Sequence, residues 1–433
     1  MVKELFVYLN DKKVGILKEN NGSLSFEYID CNAEAISLVL PNNGSVYKNN
    51  TCQKFFSNLL PEGNLREQIA KYYGIKEQIF PLLQKIGGEC SGAISFYEDK
   101  IKDCENNELK KIEFDEFIKI MNNLKQIPLG TSLNNRLSLA GVQEKFGLYI
   151  PYENVDQDCF YLKNFEFYRT NKTVFSNFIV KQNIESIDNM VYNEFFCMLL
   201  AKELNFLVPN VFILENEGKQ YLFVERFDRK IDTKMQRIQQ EDFNQLLLNF
   251  PEKKYEEDGG CSIKQCIDIL NKYSNTDDSK ERFLKMIIFN YFIGNCDAHS
   301  KNFSLLHNVL LKGKKSNKFF GNFDINECKG ICSLSPVYDL LSTEIYDSFD
   351  KKLAMKIGGE YNIKNITLAH FLKMAKDLDI NEKYFLNLLN NMKNIIVEKA
   401  VLLSDKLMKN NIKSDVFNEI IELIKIKADK SNG

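Results

Sequence analysis

Along the first fifty or so residues, apolar and polar positions alternate. "LFVYL", "KVGIL" and "LSFEYI" are separated by the polar breaks "NDKK" and "KENNGS". A period of two, cut by turn-forming residues, predicts a hairpin or meander of short strands. Pro61-Glu62-Gly63 breaks the next apolar run, after which Leu65, Ile69 and Tyr72 recur at helical spacing. "GGECSGAISFY", Gly87 to Tyr97, is glycine-rich and then strand-like, and the polar stretch "EDKIKDCENNELKK" behind it marks a first boundary.

The middle of the chain mixes both periods. "DEFIKIMNNL" predicts a short helix, "RLSLAGVQEKFGLYI" a loop and then a strand, and "NFIVKQ" another strand. "IDNMVYNEFFCMLLAKELNF" predicts an amphipathic helix, with Val191, Phe195, Met198 and Leu199 on its apolar face. "VPNVFILENEGKQYLFVERFDRK" predicts a hairpin with a charged exit. Beyond about residue 235 the helical period dominates: "FLKMIIFNYFI", "TLAHFLKMAKDL", "YFLNLLNNMKNIIVEKAVLLSDKLM" and "DVFNEIIELIKIKA". A β-like interlude covers "NFSLLHNVL" and "ICSLSPVYDLL". The order predicts an α+β chain in three parts: a β-rich unit over 1–105, a mixed α/β unit over 106–235 and a mostly helical unit over 236–433. Ligand sites favour the cleft between a mixed lobe and a helical one.

Composition narrows the function classes. Fifty-seven Lys and Arg against 59 Asp and Glu leave a net charge of −2, so no global basic field argues for tight nucleic-acid binding by this chain alone. The start of the chain meets charge too early for a signal peptide. The longest apolar runs fall short of the ~20 residues of a membrane span. A cytoplasmic location without membrane contact is the expectation. The 11 cysteines include no CxxC, and Cys261/Cys266 and Cys328/Cys332 have no histidine nearby to complete a zinc site. They read as reduced structural thiols.

The chemistry concentrates in "GNCDAHSKNF", Gly294 to Phe303. Taken alone it can be read as a polar turn, a metal site, a Cys/His pair or a phosphotransfer loop. Asp297 and Asn302 form D-x-x-x-x-N, the spacing by which kinases place one carboxylate on the attacking hydroxyl and one amide on a phosphate-bridging metal. "SPVYDLLS" places Asp339 where a second metal carboxylate is needed. Lys181 ends the strand "NFIVKQ", as a phosphate-neutralising lysine would, and Glu194 on the following helix is either its partner or an ordinary helix charge. "LSLAGVQEKF" holds a turn whose N–H groups can cradle phosphate, with Ser138 beside it. A phosphate on that serine would bring roughly −2 charges close to the nucleotide. "FVERFDR" lies where a hinge that meets adenine would fall.

Taken together, "FFSNLLPEGNLREQIA", "GGECSGAISF", "LSLAGVQEKF", "NEFFCMLLAKEL", "VERFDR", "EDFNQLL", "GNCDAHSKNFS" and "VYDLLS" resemble the HipA family of bacterial serine/threonine kinase toxins. The resemblance implies a two-lobed, protein-kinase-like fold with a small β-rich N-terminal subdomain. It implies ATP and Mg²⁺ as cofactors and Asp297 as the catalytic base. Asn302 and Asp339 become Mg²⁺ ligands and Lys181 the phosphate lysine. Ala140, Gly141, Val142, Gln143, Glu144 and Lys145 become the nucleotide loop. Glu225, Arg226 and Phe227 become the adenine hinge, with His299 and Tyr338 also near the nucleotide. Ser138 matches the family's autophosphorylated serine, whose modification expels the loop and silences the enzyme. The implied partners are a small helix-turn-helix, HipB-like antitoxin, operator DNA reached through it, and a protein substrate such as glutamyl-tRNA synthetase.

Two other readings stand beside this one. Aminoglycoside-type small-molecule phosphotransferases also use D-x-x-x-x-N, and a catalytically idle scaffold could bind antitoxin and DNA without turnover. Leu311 to Cys332 is longer and more polar than the resemblance leads one to expect, and Cys296, beside the base, reads as a buried neutral thiol.

Overall fold

In the computed structural model, residues 2–98, 109–124, 126, 128, 136–138, 144–152, 159–162, 166–170, 174–184, 187–231, 235–276, 278–313 and 323–430 are described. They form two compact units, each drawn from two stretches of chain: 1–182 with 223–251, and 183–222 with 252–433.

In the first unit the opening alternation becomes β1 (Lys3–Leu9), β2 (Lys12–Asn20) and β3 (Ser23–Tyr28). The sheet order is β3-β2-β1-β4, with β4 (Ile94–Tyr97) closing the edge against β1. One face carries Leu5, Val7, Leu17, Leu24 and Phe26, all buried. Phe55 and Phe56 of α1 (Asn49–Ser57), Ile69 of α2 (Gly63–Tyr73) and Leu82 and Leu83 of α3 (Ile79–Ile86) belong to the same core. Each such side chain contributes about 1.5–3 kcal/mol on burial. Leu65 and Ile69 take the inner face of α2 as expected, whereas Tyr72, in the last turn of the helix, is exposed.

The same unit continues through β5 (Lys111–Ile112), α4 (Phe114–Asn122), β6 (Lys145–Leu148), β7 (Phe167–Tyr168) and β8 (Phe178–Gln182). β5 pairs with β7, and β6 with β8, both antiparallel. Phe117, Phe167 and Phe223 stack in its core.

The second unit contains α5 (Met190–Glu203) and the neighbouring strands β9 (Val211–Asn216) and β10 (Lys219–Glu225), the last of which runs on into the stretch that returns to the first unit. The helix departs from the amphipathic expectation. Every residue from Met190 to Ala201 is buried, including Asn193 and Glu194, so the helix lies within the unit rather than on its surface. In the returning stretch, β11 (Arg229–Ile231) pairs with β12 (Met235–Arg237). β13 (Gln240–Asp242) then leads into α6 (Phe243–Leu246) through an Asp242/Gln245 capping box.

Beyond residue 252 the elements are α7 (Ile263–Tyr273), α8 (Ser279–Ile293), and the long antiparallel pair β14 (Ser304–Gly313) and β15 (Phe323–Leu334). After them come β16 (Lys352–Ile357), β17 (Glu360–Asn362), α9 (Leu368–Asp377), α10 (Glu382–Lys409) and α11 (Asp415–Lys430). Of the polar segment from Leu311 to Cys332, the described residues belong to the β14–β15 pair, whose register shifts between His307 and Val309, and 314–322 fall outside the described residues. Among the described residues no helix is long and apolar enough to cross a membrane.

Candidate active site

α8 delivers the chain to the reactive loop. Its second half, Met286 to Ile293, is buried throughout, and it stops at Gly294, which adopts φ +70° and donates its N–H to the Tyr291 carbonyl at 3.0 Å. Only glycine takes this left-handed turn without strain. The loop behind it is tied at each step. Asn295 bonds Asn290 through backbone and side chain, both at 2.8 Å, and its Oδ1 accepts the Asp297 N–H at 3.1 Å. Thr343 Oγ1 accepts from the Cys296 N–H at 2.8 Å, and the Cys296 carbonyl accepts from the Ala354 N–H of β16 at 2.8 Å.

Asp297 is half-buried, and its Oδ1 accepts a 2.6 Å hydrogen bond from the Tyr255 hydroxyl. His299 packs edge-on against the Tyr255 ring at 5.6 Å between centroids. The next residues close one turn of 3-10 helix, Ser300–Asn302, with the Asn302 Oδ1 accepting from the His299 N–H at 3.2 Å. Asn302 Nδ2 donates to Asp339 Oδ2 at 3.0 Å, bridging 37 positions of sequence. Asp339 is exposed and sits at φ +57°, a conformation an aspartate tolerates at a cost of about 1–3 kcal/mol and one that clusters at functional sites. Tyr338 directs its hydroxyl at the Lys301 carbonyl, 2.8 Å, and at Ser304, 2.7 Å. Asp297, His299, Asn302, Tyr338 and Asp339 therefore lie together in the second unit.

A carboxylate beside an amide is a hard-oxygen donor set. It suits Mg²⁺, which takes one or two protein oxygens and completes its shell with phosphate and water. A half-turn of the Asn302 amide would set its oxygen beside the Asp339 carboxylate, giving up the weak 3.2 Å bond from His299. Among the described residues no cluster of three or more His, Cys, Asp or Glu forms an all-protein metal cage. The described cysteines are free thiols, and burial pushes the Cys296 thiol up to about 11, partly opposed by its Thr343 contact, so it stays neutral.

The remaining candidates lie in or beside the first unit. Of the loop, Ala140, Gly141, Val142 and Gln143 fall outside the described residues, while Glu144 precedes β6 and Lys145 opens it. Lys145 is paired directly opposite Lys181 of β8, so two ammonium-bearing residues share one face of adjacent strands. Ser138 is fully buried; its hydroxyl donates to the Leu59 carbonyl at 2.6 Å and its N–H to the Glu89 carbonyl at 2.7 Å. Glu225 and Phe227 are buried. Arg226 gives its N–H to the Asn177 carbonyl at 2.8 Å and its guanidinium to Glu89 and Asp228, so its visible work is holding the segment in place. Glu194 is buried in α5 of the second unit, which removes the reading of it as an exposed helix charge.

Sequence reasoning missed Tyr255 and Thr343, and it missed Glu89 as the residue that completes an ion network of Glu89, Arg226, Asp228 and Arg229. "VERFDR" did contain three of those four charges, and so many charges ending an apolar strand were the one signal available.

The chain is similar to known proteins of one family. The family model described as the HipA-like C-terminal domain matches residues 137–400, and the one described as the HipA N-terminal domain matches residues 5–97. The chain is 31% identical over 386 residues to the putative kinase Y4mE of Sinorhizobium fredii, covering 85% of this chain and 83% of that protein. It is 30% identical over 347 residues to the serine/threonine-protein kinase toxin HipA of Shewanella oneidensis, covering 76% and 72%. Among solved structures it superposes on a chain of the Shewanella oneidensis HipA, HipB and operator DNA complex with a TM-score of 0.79 at 23% identity, over 99% and 97% of the two chains.

Proposed function

The chain belongs to the HipA family, and from that premise we propose that it is an ATP-dependent serine/threonine protein kinase acting as the toxin of a toxin–antitoxin pair. The observation that carries the reading is the loop geometry in the second unit: a half-buried Asp297, oriented by a hydroxyl, five positions before an Asn302 that touches Asp339.

In this reading Asp297 accepts the proton of a serine or threonine hydroxyl as that oxygen attacks the γ-phosphorus of ATP, and the bond from that phosphorus to the bridging oxygen breaks to release ADP. Asn302 and Asp339 would hold Mg²⁺, which when bound would neutralise charge on the transferring phosphoryl group. Lys181, opposite Lys145, attracts the phosphates, and the 140–145 loop covers them. Glu225 to Phe227 border the adenine, and His299 and Tyr338 flank the nucleotide. Most of the acceleration comes from positioning and electrostatics rather than from covalent chemistry. Ser138 is the proposed autophosphorylation site. Its hydroxyl now points at a carbonyl oxygen, so a phosphate there would set negative oxygens against Leu59 and the loop would have to leave. The proposed partners are a HipB-like antitoxin, operator DNA through it, and a protein of translation, with glutamyl-tRNA synthetase as the first to test.

The test is Asp297→Asn. Transfer of label from γ-labelled ATP to protein should fall by about 100- to 10,000-fold, and induced growth arrest should vanish, with the thermal midpoint retained. Wild-type toxicity in that variant overturns the assignment of the base. Label that appears only in small molecules overturns the protein-kinase reading.

A further inference from the structure

The groups around Asp297 raise a question that the kinase reading leaves open: what fixes the direction in which this carboxylate faces? Its backbone is tied by Asn295, but a loop aspartate can still rotate about its side-chain bonds. The carboxylate itself accepts a hydrogen bond from the hydroxyl of Tyr255, 42 positions earlier in the chain.

Tyr255 stands on a closed turn. Its carbonyl accepts from Gly260 N–H at 2.9 Å and from Asp258 N–H at 3.2 Å. A side chain at Gly260 would meet that carbonyl at 2.5 Å, so the turn closes this tightly only around glycine. On one side the Glu256 N–H donates to the Ala354 carbonyl of β16 at 2.9 Å, while the Ala354 N–H donates to Cys296 at 2.8 Å. One residue of β16 thus holds both the neighbour of the phenol and the neighbour of the carboxylate. On the other side Ser300 Oγ donates to the Lys254 carbonyl at 3.3 Å, and the His299 ring packs edge-on against the phenol. The turn and the reactive loop are therefore stitched together on both flanks of the Tyr255–Asp297 bond.

We infer that Tyr255 is a positioning residue for the phosphoryl transfer. Its hydroxyl donates to Asp297 Oδ1 and so turns the other oxygen, Oδ2, toward the incoming hydroxyl; this rests on the reading of Asp297 as the base. A phenol that merely took the substrate's place in the resting enzyme would have to swing out at each turnover, and the paired ties on both flanks argue against such a motion. No proton is transferred by Tyr255: its O–H bond persists while the substrate's proton goes to Oδ2.

The experiment is Tyr255→Phe in the full chain, with ADP formation from Mg-ATP measured in the presence of casein, so that transfer to casein, to the chain itself or to water all register. The ring and its contact with His299 are kept, and only the hydroxyl is lost. The expected result is a kcat about tenfold lower, the loss of one hydrogen bond, with KM for ATP and the thermal midpoint unchanged. On an Asp297→Asn background the same change should have no further effect on residual turnover. Unchanged or raised kcat overturns the inference, as does a rise in KM alone or an equal loss on the Asp297→Asn background. If Asp297→Asn itself retains full turnover, the reading of the base fails instead, and the two failures are told apart by that variant.

Discussion

Asp228 shows how far a single charge can reach in this molecule. It is buried between Arg226 and Arg229, its carboxylate accepting from Arg226 Nη2 at 2.8 Å and from the Gly92 N–H at 2.7 Å and forming an ion pair with Arg229 Nη1 at 3.0 Å. Burial pushes its carboxyl up, but the two guanidiniums and the Gly92 N–H more than reverse this and hold it well below the usual carboxylate range. A folded pKa below the unfolded one gives stability that is complete above the unfolded value of roughly 4 and is lost as pH falls through the folded value. Asp228→Asn, which leaves two buried guanidiniums to share Glu89 as their anion, should lower unfolding free energy at pH 7 by about 3–5 kcal/mol. It should also flatten the decline of stability below about pH 4. Denaturant midpoints at pH 7 and pH 3 decide the matter, and equal midpoints for wild type and variant at pH 7 would refute it. At this scale the sequence was readable wherever the chemistry is local. Asp297 and Asn302 share one short stretch and could be found by spacing. Tyr255 could not, because the residue it serves lies 42 positions away and nothing in "KKYEEDGG" shows its destination.

Elements were legible where one face meets water. The β1–β3 meander and helices α9 to α11 alternate or repeat as their burial requires, and each was visible as a period. α5 was visible as a helix but misread as amphipathic, since a helix buried all round has no polar stripe to reveal its environment. The end of α8 is the element boundary on which the site depends. A Cβ at Gly294 would lie 2.5 Å from Leu423 of α11 and 2.9 Å from the Glu344 side chain, in a backbone conformation at φ +70° that alanine resists. Glu344 is itself committed, its carboxylate 2.7 Å from the buried Lys427 of α11 and its N–H donating to the Gly294 carbonyl at 2.9 Å. Gly294→Ala should therefore cost about 2–4 kcal/mol, from the left-handed backbone and the forced shift together. Because Asp297 is three residues on, turnover should fall further than the loss of folded protein explains. A variant with wild-type kcat per folded molecule would show that the helix end does not position Asp297 for turnover.

For the whole molecule, what the sequence hid is that the units interleave. A composition shift marks one cut along the chain, whereas each unit here is assembled from two stretches. Within one stretch, distance along the chain hides contacts in the same way, as at Ser138. Its partners, Leu59 and Glu89, come from the β-rich beginning of the chain, and the pairing of Glu89 with Leu137 adds a single parallel bridge to the docking. The serine stood out in sequence as a hydroxyl beside a turn; its complete burial did not, because burial depends on segments 49 and 79 positions earlier. That burial makes the consequence of a negative charge calculable. Ser138→Ala removes one hydrogen bond, about 1 kcal/mol, and should speed amide exchange at residues 89 and 138 by about fivefold. Ser138→Asp places a carboxylate against the Leu59 carbonyl with no water to solvate it, a penalty of several kcal/mol that undocking relieves. Exchange at both amides should then rise more than about a hundredfold, with core amides such as those of β1 and β2 unaffected. Hydrogen exchange read residue by residue separates the cases. If the aspartate variant exchanges no faster than the alanine variant, charge at this serine does not undock its segment, and silencing by phosphorylation at Ser138 would need another route.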